Sequence, residues 1–200
     1  MLTAAKELTI GMHREAGPAL EDALVSRLRA GQEAAADELV DLYADRLLRA
    51  ASLLLCDRHL AEDAVQETLL ATVTRIGQFR GESSLYSWMY AIMLRWCRRQ
   101  QSRRKIDSSL SLMPSDELAE FAGDDASVEA RWESAQRTLR VSRAVGDLPQ
   151  AYREVVVLFY QEDFSVAEIS RMIGKPEGTI KSLLHRARRK LAEALEGDEL

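Results

Sequence analysis

Apolar residues recur at helical spacing along most of the chain, and no stretch sustains the strict alternation that marks a strand. Residues 19–30 predict a short helix closed by Gly31. From Glu33 to Leu55, the positions of Leu39, Val40, Tyr43, Leu47 and Leu54 predict one apolar helical face, interrupted by Cys56, Asp57 and Arg58. Leu60 to Ile76 predicts a second long helix, with Val65, Leu69, Val73 and Ile76 as its buried side and Gly77 as its C-terminal glycine. Phe79 to Ser84 reads as a loop in which Ser83 or Ser84 caps a third helix, Leu85 to Lys105.

Residues 107–130 break the pattern. They hold seven acidic residues and no basic ones, with Pro114, Gly123 and several serines, a composition that predicts a mobile linker. Helical spacing resumes from Val128 to Val145, with Val128, Trp132, Ala135 and Leu139 in one stripe. Pro149 suits the first turn of a helix from Leu148 through Tyr160. Two further helices fall between Ser165 and Leu191. The predicted fold is all-α: two small helical domains, 19–106 and 128–194, joined by a flexible acidic linker at 107–127. An N-terminal arm at 1–18 and a tail at 195–200 complete the chain.

Charge then narrows the classes. The 200 residues carry a net charge of −5, so any nucleic-acid binding must come from local clusters, not from the bulk. Cys56 and Cys97 each stand alone, there is no CxxC, and His13, His59 and His185 are scattered. No metal site and no cofactor are expected, and a reduced compartment is the simpler reading. The N-terminus, with Lys6, Glu7, Arg14 and Glu15, lacks the apolar core of a signal peptide. The longest mostly apolar run, Leu85 to Cys97, is too short to span a bilayer. A cytoplasmic protein without membrane insertion is expected. No metal-ligand cluster, nucleophile–base arrangement or phosphate loop points to an enzyme.

The C-terminal pattern has the form of a helix-turn-helix. Ser165 and Glu168 stand at capping-box spacing. Val166, Ile169 and Ile173 predict the buried side of the first helix, Gly174 allows a sharp turn, and Pro176 starts the second. In that second helix Ile180, Leu184, Ala187 and Leu191 predict the buried side. Five cations stand between positions 181 and 190 with no acid among them. Cations late in a helix suit its dipole. A hydroxyl and long cations near the start of a helix inserted in a groove also suit base edges and phosphates.

In the N-terminal half, Asp63, Gln66, Glu67 and Leu70 share one helical face, away from Val65, Leu69 and Val73. Early acids are favoured by the dipole, but that explains Glu67 and Leu70 poorly, and Asp63 and Glu67 repel at this spacing. The patch suits a protein partner. Beyond it, Arg95, Arg98, Arg99, Arg103, Arg104 and Lys105 give six cations in eleven residues, interleaved with or preceded by Tyr86, Trp88, Tyr90 and Trp96. Aromatics beside cations stack unpaired bases while the cations hold phosphates. Trp88, Ile92 and Trp96 read as a core stripe, which leaves Phe79 and Tyr86, near the loop, freer to meet a base.

The succession AEDAVQETLL, FRGESSLYSWMY, a basic helix, an acidic tether, LPQAYREVVVLFY and GTIKSLLHRARRKL closely resembles the extracytoplasmic-function (ECF) group of bacterial sigma-70-family factors, over residues 19–194. The resemblance implies binding to core RNA polymerase, with Asp63, Gln66, Glu67 and Leu70 docking on the clamp helices of its large subunit. It implies that Phe79, Arg80, Ser83, Ser84, Tyr86, Trp88, Arg95, Arg98 and Arg99 open and read the −10 element, with a flipped base in a pocket of the loop. It implies that Thr179, Lys181, Ser182, His185, Arg186 and Arg189 contact the −35 element as duplex. The acidic linker would run near the RNA exit path, and an anti-sigma factor is an expected partner, since factors of this group are commonly held by one. Four positions depart from the family pattern and leave the preferred promoter open. Arg95 stands in place of a frequent asparagine, Arg99 lies near a common aspartate, Leu183 replaces a frequent arginine, and Leu85 sits at an often aromatic position.

Two other readings start from the same residues. An ordinary two-domain regulator would need a sensor pocket or a dimer surface, which residues 19–106 do not resemble. A sigma mimic that titrates an anti-sigma factor without binding DNA could lose its basic helix faces, and both are present.

Overall fold

The computed structural model describes residues 17–107 and 138–197. The linker at 108–127, the greater part of the arm, and the stripe positions Val128, Trp132 and Ala135 lie outside them. The described residues form helices joined by short turns, with no strand among them. They group in two compact units. One falls within Met1–Ala51 and His59–Leu112, the other within Ser52–Arg58 and Met113–Leu200.

In the first unit, α1 spans Pro18–Arg29, with Pro18 in the first turn where its missing N–H costs nothing. Gly31 follows it at φ +69, a left-handed conformation that glycine adopts without strain. Helix α2 (Glu33–Leu55) belongs to this unit as far as Ala51 and buries Leu39, Tyr43, Leu47, Ala50 and Ala51 in it; its last turn, with the buried Leu54, groups with the second unit. Val40, expected on this face, is 43% exposed; it lies at the margin of the stripe that Leu39, Tyr43, Leu47 and Ala50 carry.

Helix α3 (Arg58–Arg75) departs further from its predicted pattern. Its buried side is Ala61, Ala64, Val65, Thr68 and Thr72. Leu69 is only half-buried, and Val73 is exposed. Threonine can be buried here because its hydroxyl is satisfied locally. Thr68 Oγ1 donates to the Ala64 carbonyl at 2.6 Å, and Thr72 Oγ1 to the Thr68 carbonyl at 2.8 Å. A small-residue face of this kind escapes a search for large apolar side chains. Nor does Gly77 end the helix in a left-handed turn. It sits inside a tight 3-10 turn, Ile76–Gln78, and the left-handed glycine of this region is Gly81, at φ +72 in the loop.

Helix α4 (Leu85–Asp107) buries Leu85, Tyr86, Met89, Tyr90, Met93, Leu94 and Cys97. Trp88, Ile92 and Trp96 are half-buried at the margin of that core.

In the second unit, helical residues 138–146 form α5, and α6 spans Gln150–Val156 after an N-cap at Pro149. Helix α6 runs into a π-helical turn, Val157–Gln161, in which the Glu162 N–H reaches back to the Val157 carbonyl at 3.0 Å. Val155, Val156, Val157 and Leu158 are all buried. Arg153 fans its guanidinium over carbonyls at helix ends, donating to Leu54 (3.0 Å), Leu148 (3.1 Å) and Gly146. Helix α7 (Val166–Ile173) buries Ile169 fully and Val166 and Ile173 by half. Helix α8 (Glu177–Gly197) packs on α6 and α7 through Ile180, Leu184, Ala187 and Leu191, as its spacing predicts.

Candidate nucleic-acid and partner interfaces

The turn between α7 and α8 is built from local hydrogen bonds. Ser165 Oγ accepts from the Glu168 N–H at 3.3 Å, and Glu168 Oε2 accepts from the Ser165 N–H at 2.8 Å, closing the capping box. Helix α7 ends on Gly174 at φ +73. The N–H groups of Gly174 (2.9 Å) and Lys175 (3.2 Å) both reach the Ser170 carbonyl, and the Ser170 hydroxyl donates to the Lys175 carbonyl at 2.6 Å. This fixes the angle at which α8 leaves the turn. The Pro176 carbonyl accepts from Thr179 (2.8 Å) and Ile180 (3.2 Å), so Pro176 occupies the N-cap of α8.

With Ile180 and Leu184 inward, Thr179, Lys181, Ser182, His185, Arg186 and Arg189 are all exposed. Ser182 Oγ folds back to the Gly178 carbonyl at 2.9 Å. Lys181 lies 3.9 Å from Glu177, and Arg189 lies 3.4 Å from Glu193. Such exposed ion pairs contribute little stability and yield readily to a phosphate.

In the first unit, α3 brings Asp63, Gln66, Glu67 and Leu70 to the surface together, Leu70 at 61% exposure. They do not form an isolated patch. They line one side of a groove of about 660 Å³ whose other side, from α4, includes Trp96, Arg99 and Arg103. Acids, an exposed leucine, a tryptophan and arginines thus meet in one concavity. Arg99, read from the sequence as a base or phosphate contact, adjoins the acidic face and is not separated from it.

Arg80, Glu82 and Ser84 of the loop are exposed, and Ser83 is half-buried. Ser84 is the cap of α4, its Oγ accepting from the Ser87 N–H at 3.1 Å. The accessibility expected of the aromatic rings is reversed. Phe79 is 6% exposed and packs on Trp88, with ring centroids 5.5 Å apart. Tyr86 is 5% exposed, stacked on Tyr43 at 5.9 Å, with the Arg46 guanidinium 3.8 Å from its ring centroid. Both rings are held in packing, and Trp88 is the half-buried aromatic beside the loop. Along α4, Arg95 and Arg99 are exposed and Arg98 is half-buried. Arg95 Nε donates back to the Ala91 carbonyl at 2.9 Å.

Helix α1 carries none of the expected contact residues, yet its Glu21 and Arg29 hydrogen-bond the two ends of the loop. Nothing in the sequence separates them from ordinary dipole-favoured charges, an acid in the first turn and bases in the last. No cluster of potential metal ligands occurs among the described residues, and no described helix is long and apolar enough to cross a membrane.

One unit carries an exposed basic helix behind a tight left-handed turn, and the other a basic helix facing a groove of mixed charge, features suited to DNA and to a protein partner. Residues 39–105 match the family model described as Sigma-70 region 2, and residues 138–191 match Sigma-70, region 4. The ECF RNA polymerase sigma factor SigM of Mycobacterium tuberculosis is 31% identical over 166 residues, covering 83% of this chain and 80% of SigM. RNA polymerase sigma-H factor of Pseudomonas aeruginosa is 28% identical over 183 residues, covering 86% and 92%. The sigma factor RpoE of Bartonella quintana, solved in complex with the anti-sigma factor NepR, aligns with a TM-score of 0.63 at 25% identity, covering 80% of this chain and 96% of that one. The chain belongs to the ECF RNA polymerase sigma factors.

Proposed function

We propose that the chain binds core RNA polymerase through the α3 groove, opens and reads the −10 element with the loop 79–84 and α4, and reads the −35 element with α8. The observation that carries this is the presence in one chain of a mixed-charge groove with an exposed acidic face and of two basic helices, one in each unit. Asp63, Gln66, Glu67 and Leu70 supply a charged rim and an apolar anchor for a partner helix pair. Arg80, Ser83, Ser84, Trp88, Arg95, Arg98 and Arg99 serve strand separation. Single strands are held by phosphate contacts and by stacking, and Trp88 is the ring placed to stack. Phe79 and Tyr86 act from beneath, supporting the loop and the start of α4.

On α8, Lys181, Arg186 and Arg189 supply phosphate contacts and Ser182, His185 and Arg186 base-edge contacts, with Thr179 at the helix start. In this reading the working domains run from 19 to 106 and from 128 to 194, with a linker at 107–127 between them. The protein works in the cytoplasm, catalyses no reaction of its own, and is held inactive by an anti-sigma factor until released. Run-off transcription with core polymerase and a random promoter library tests the reading. The expected result is selection of paired −35 and −10 elements. No transcription with any core polymerase, together with tight anti-sigma binding, would overturn it in favour of a mimic.

A further inference from the structure

Helix α1 lies outside the span matched to region 2 and carries none of the contact residues above. It nevertheless holds both ends of the loop 79–84. At the far end, Glu21 Oε1 accepts from the Leu85 N–H at 2.6 Å. At the near end, Arg29 Nη2 donates to the Phe79 carbonyl. The two residues stand about 12 Å apart along the helix axis, from a rise of ~1.5 Å per residue. Helix α1 also packs against the 3-10 turn that delivers the chain to Phe79. Its buried Leu24, Val25 and Leu28 fix it to the core of the unit.

Each bond answers a local need. Leu85 is the first residue of α4, and its N–H is one of those a helix cannot satisfy internally. Ser84 Oγ takes the Ser87 N–H, and Glu21, from a different helix, takes that of Leu85. A carboxylate there also suits the positive end of the α4 dipole. Phe79 leaves the 3-10 turn in extended conformation with its ring buried, and its carbonyl meets the guanidinium. Between these anchors Arg80, Gly81 and Glu82 stand in solvent, with Gly81 in the left-handed region. The loop is therefore open in the middle and fixed at its ends.

We propose that Glu21 and Arg29 are positioning residues for promoter reading. They set the span and direction of the loop before DNA arrives, so that base capture does not have to order it, which is how preorganisation contributes to selectivity. This rests on the reading of the loop as a −10 contact. Neither residue needs to touch DNA. Losing either loosens the loop and blunts the choice among bases, without removing the groove that docks polymerase.

The test uses the full chain with Glu21→Ala, Glu21→Gln, Arg29→Ala and Arg29→Lys. Amide hydrogen exchange of the free protein is measured across residues 79–87. Run-off transcription with core polymerase then gives the preference among the four bases at each −10 position. The alanine variants are expected to raise loop and Leu85 exchange about tenfold, as for a local opening. They should lower discrimination at one −10 position about fivefold, with affinity for core polymerase unchanged. Glu21→Gln keeps an acceptor and Arg29→Lys keeps a cation, and both should recover most of the discrimination. Wild-type exchange in the alanine variants, or an equal loss on every promoter, would overturn the proposal. A wild-type protein with no −10 preference would sink the loop's DNA role, and the exchange data would still report on the clamp.

Discussion

Phe79 and Trp88 pack with their ring centroids 5.5 Å apart and planes inclined at 53°, and Phe79 is the one enclosed. Trp88 is only half-buried. The pair therefore divides two tasks, support and contact. Phe79→Ala is predicted to cost the first unit about 3 kcal/mol, in the range for an enclosed phenylalanine. Trp88→Ala should cost only about 1 kcal/mol, typical of a partly exposed site, and should suppress strand opening. Urea unfolding of the two variants and permanganate reactivity at the −10 element separate these effects. Unchanged stability in Phe79→Ala would refute the division.

Asp63 and Glu67 stand one turn apart on α3, both exposed, on the rim of a groove that also holds Arg99 and Arg103. Reversing both to lysine places five cations around one concavity, with Arg75, Arg99 and Arg103. The double variant Asp63→Lys, Glu67→Lys is predicted to fold, because neither side chain is buried, and to lose core polymerase binding. Pull-down with core polymerase, with circular dichroism as the folding control, checks it. Retained binding would remove these residues from the docking surface.

Much of the second unit was legible because its signals are local. Ser165 and Glu168 advertise a capping box by spacing alone, and Gly174 marks the only cheap way to turn at φ +73. The same residues yield a prediction. Ser165→Ala should cost about 1 kcal/mol through the lost cap, and Gly174→Ala about 1 kcal/mol or more through left-handed strain. Thermal unfolding should show both, with little change in the first unit. A neutral Gly174→Ala would contradict the left-handed turn.

The first unit was less legible, for physical reasons. Helix α3 buries alanines and threonines, and threonine hides there by bonding its own helix. A hydrophobicity pattern weighted to Leu and Val chose Leu69 and Val73 instead. In α4 the tryptophans drew attention as core, yet the enclosed stripe runs through Tyr86, Met89, Tyr90, Met93 and Cys97, one position away from them. Aromatic size alone does not say which side faces in. The exposed face of α3 was found because it was read from charge and spacing, and those do not depend on which apolar residues are buried. The clamp from Glu21 and Arg29 depends on residues about 50 to 64 positions away in the chain, a separation that no local pattern carries.

Cys56 gives a prediction about pH. Burial pushes its thiol above the ordinary value of 9.0; the Arg153 guanidinium pulls it down in part, and Asp147 pushes it up. Less thiolate forms at neutral pH than for a free thiol, so alkylation by iodoacetamide should be slower. Linkage sets the sign for stability. The unfolded thiol loses its proton first, so the Cys56 contribution is intact below pH 9.0 and is lost as pH rises through the folded value. Cys97, which is buried, should react only on unfolding. Mass spectrometry of timed alkylation at pH 7 and above decides this, and rapid labelling of Cys56 at pH 7 would contradict it.

Arg186 and Arg189 are both exposed on α8, but their surroundings differ. Arg189 is tied to Glu193 at 3.4 Å on the more C-terminal part of the helix. Arg186 stands one turn after Ser182, nearer the end of the helix that enters a groove in this motif. Arg186→Ala is therefore predicted to weaken binding by about 1–3 kcal/mol on the preferred −35 sequence and to relax the choice of base at one position. Arg189→Ala should weaken all sequences alike and lower the salt dependence by about one phosphate contact. Binding of −35 duplexes at several salt concentrations distinguishes the two. If Arg186→Ala lost affinity equally on all sequences, with the salt slope reduced, it too would be a phosphate contact. Base choice would then rest on Ser182 and His185, which are exposed on the same part of α8.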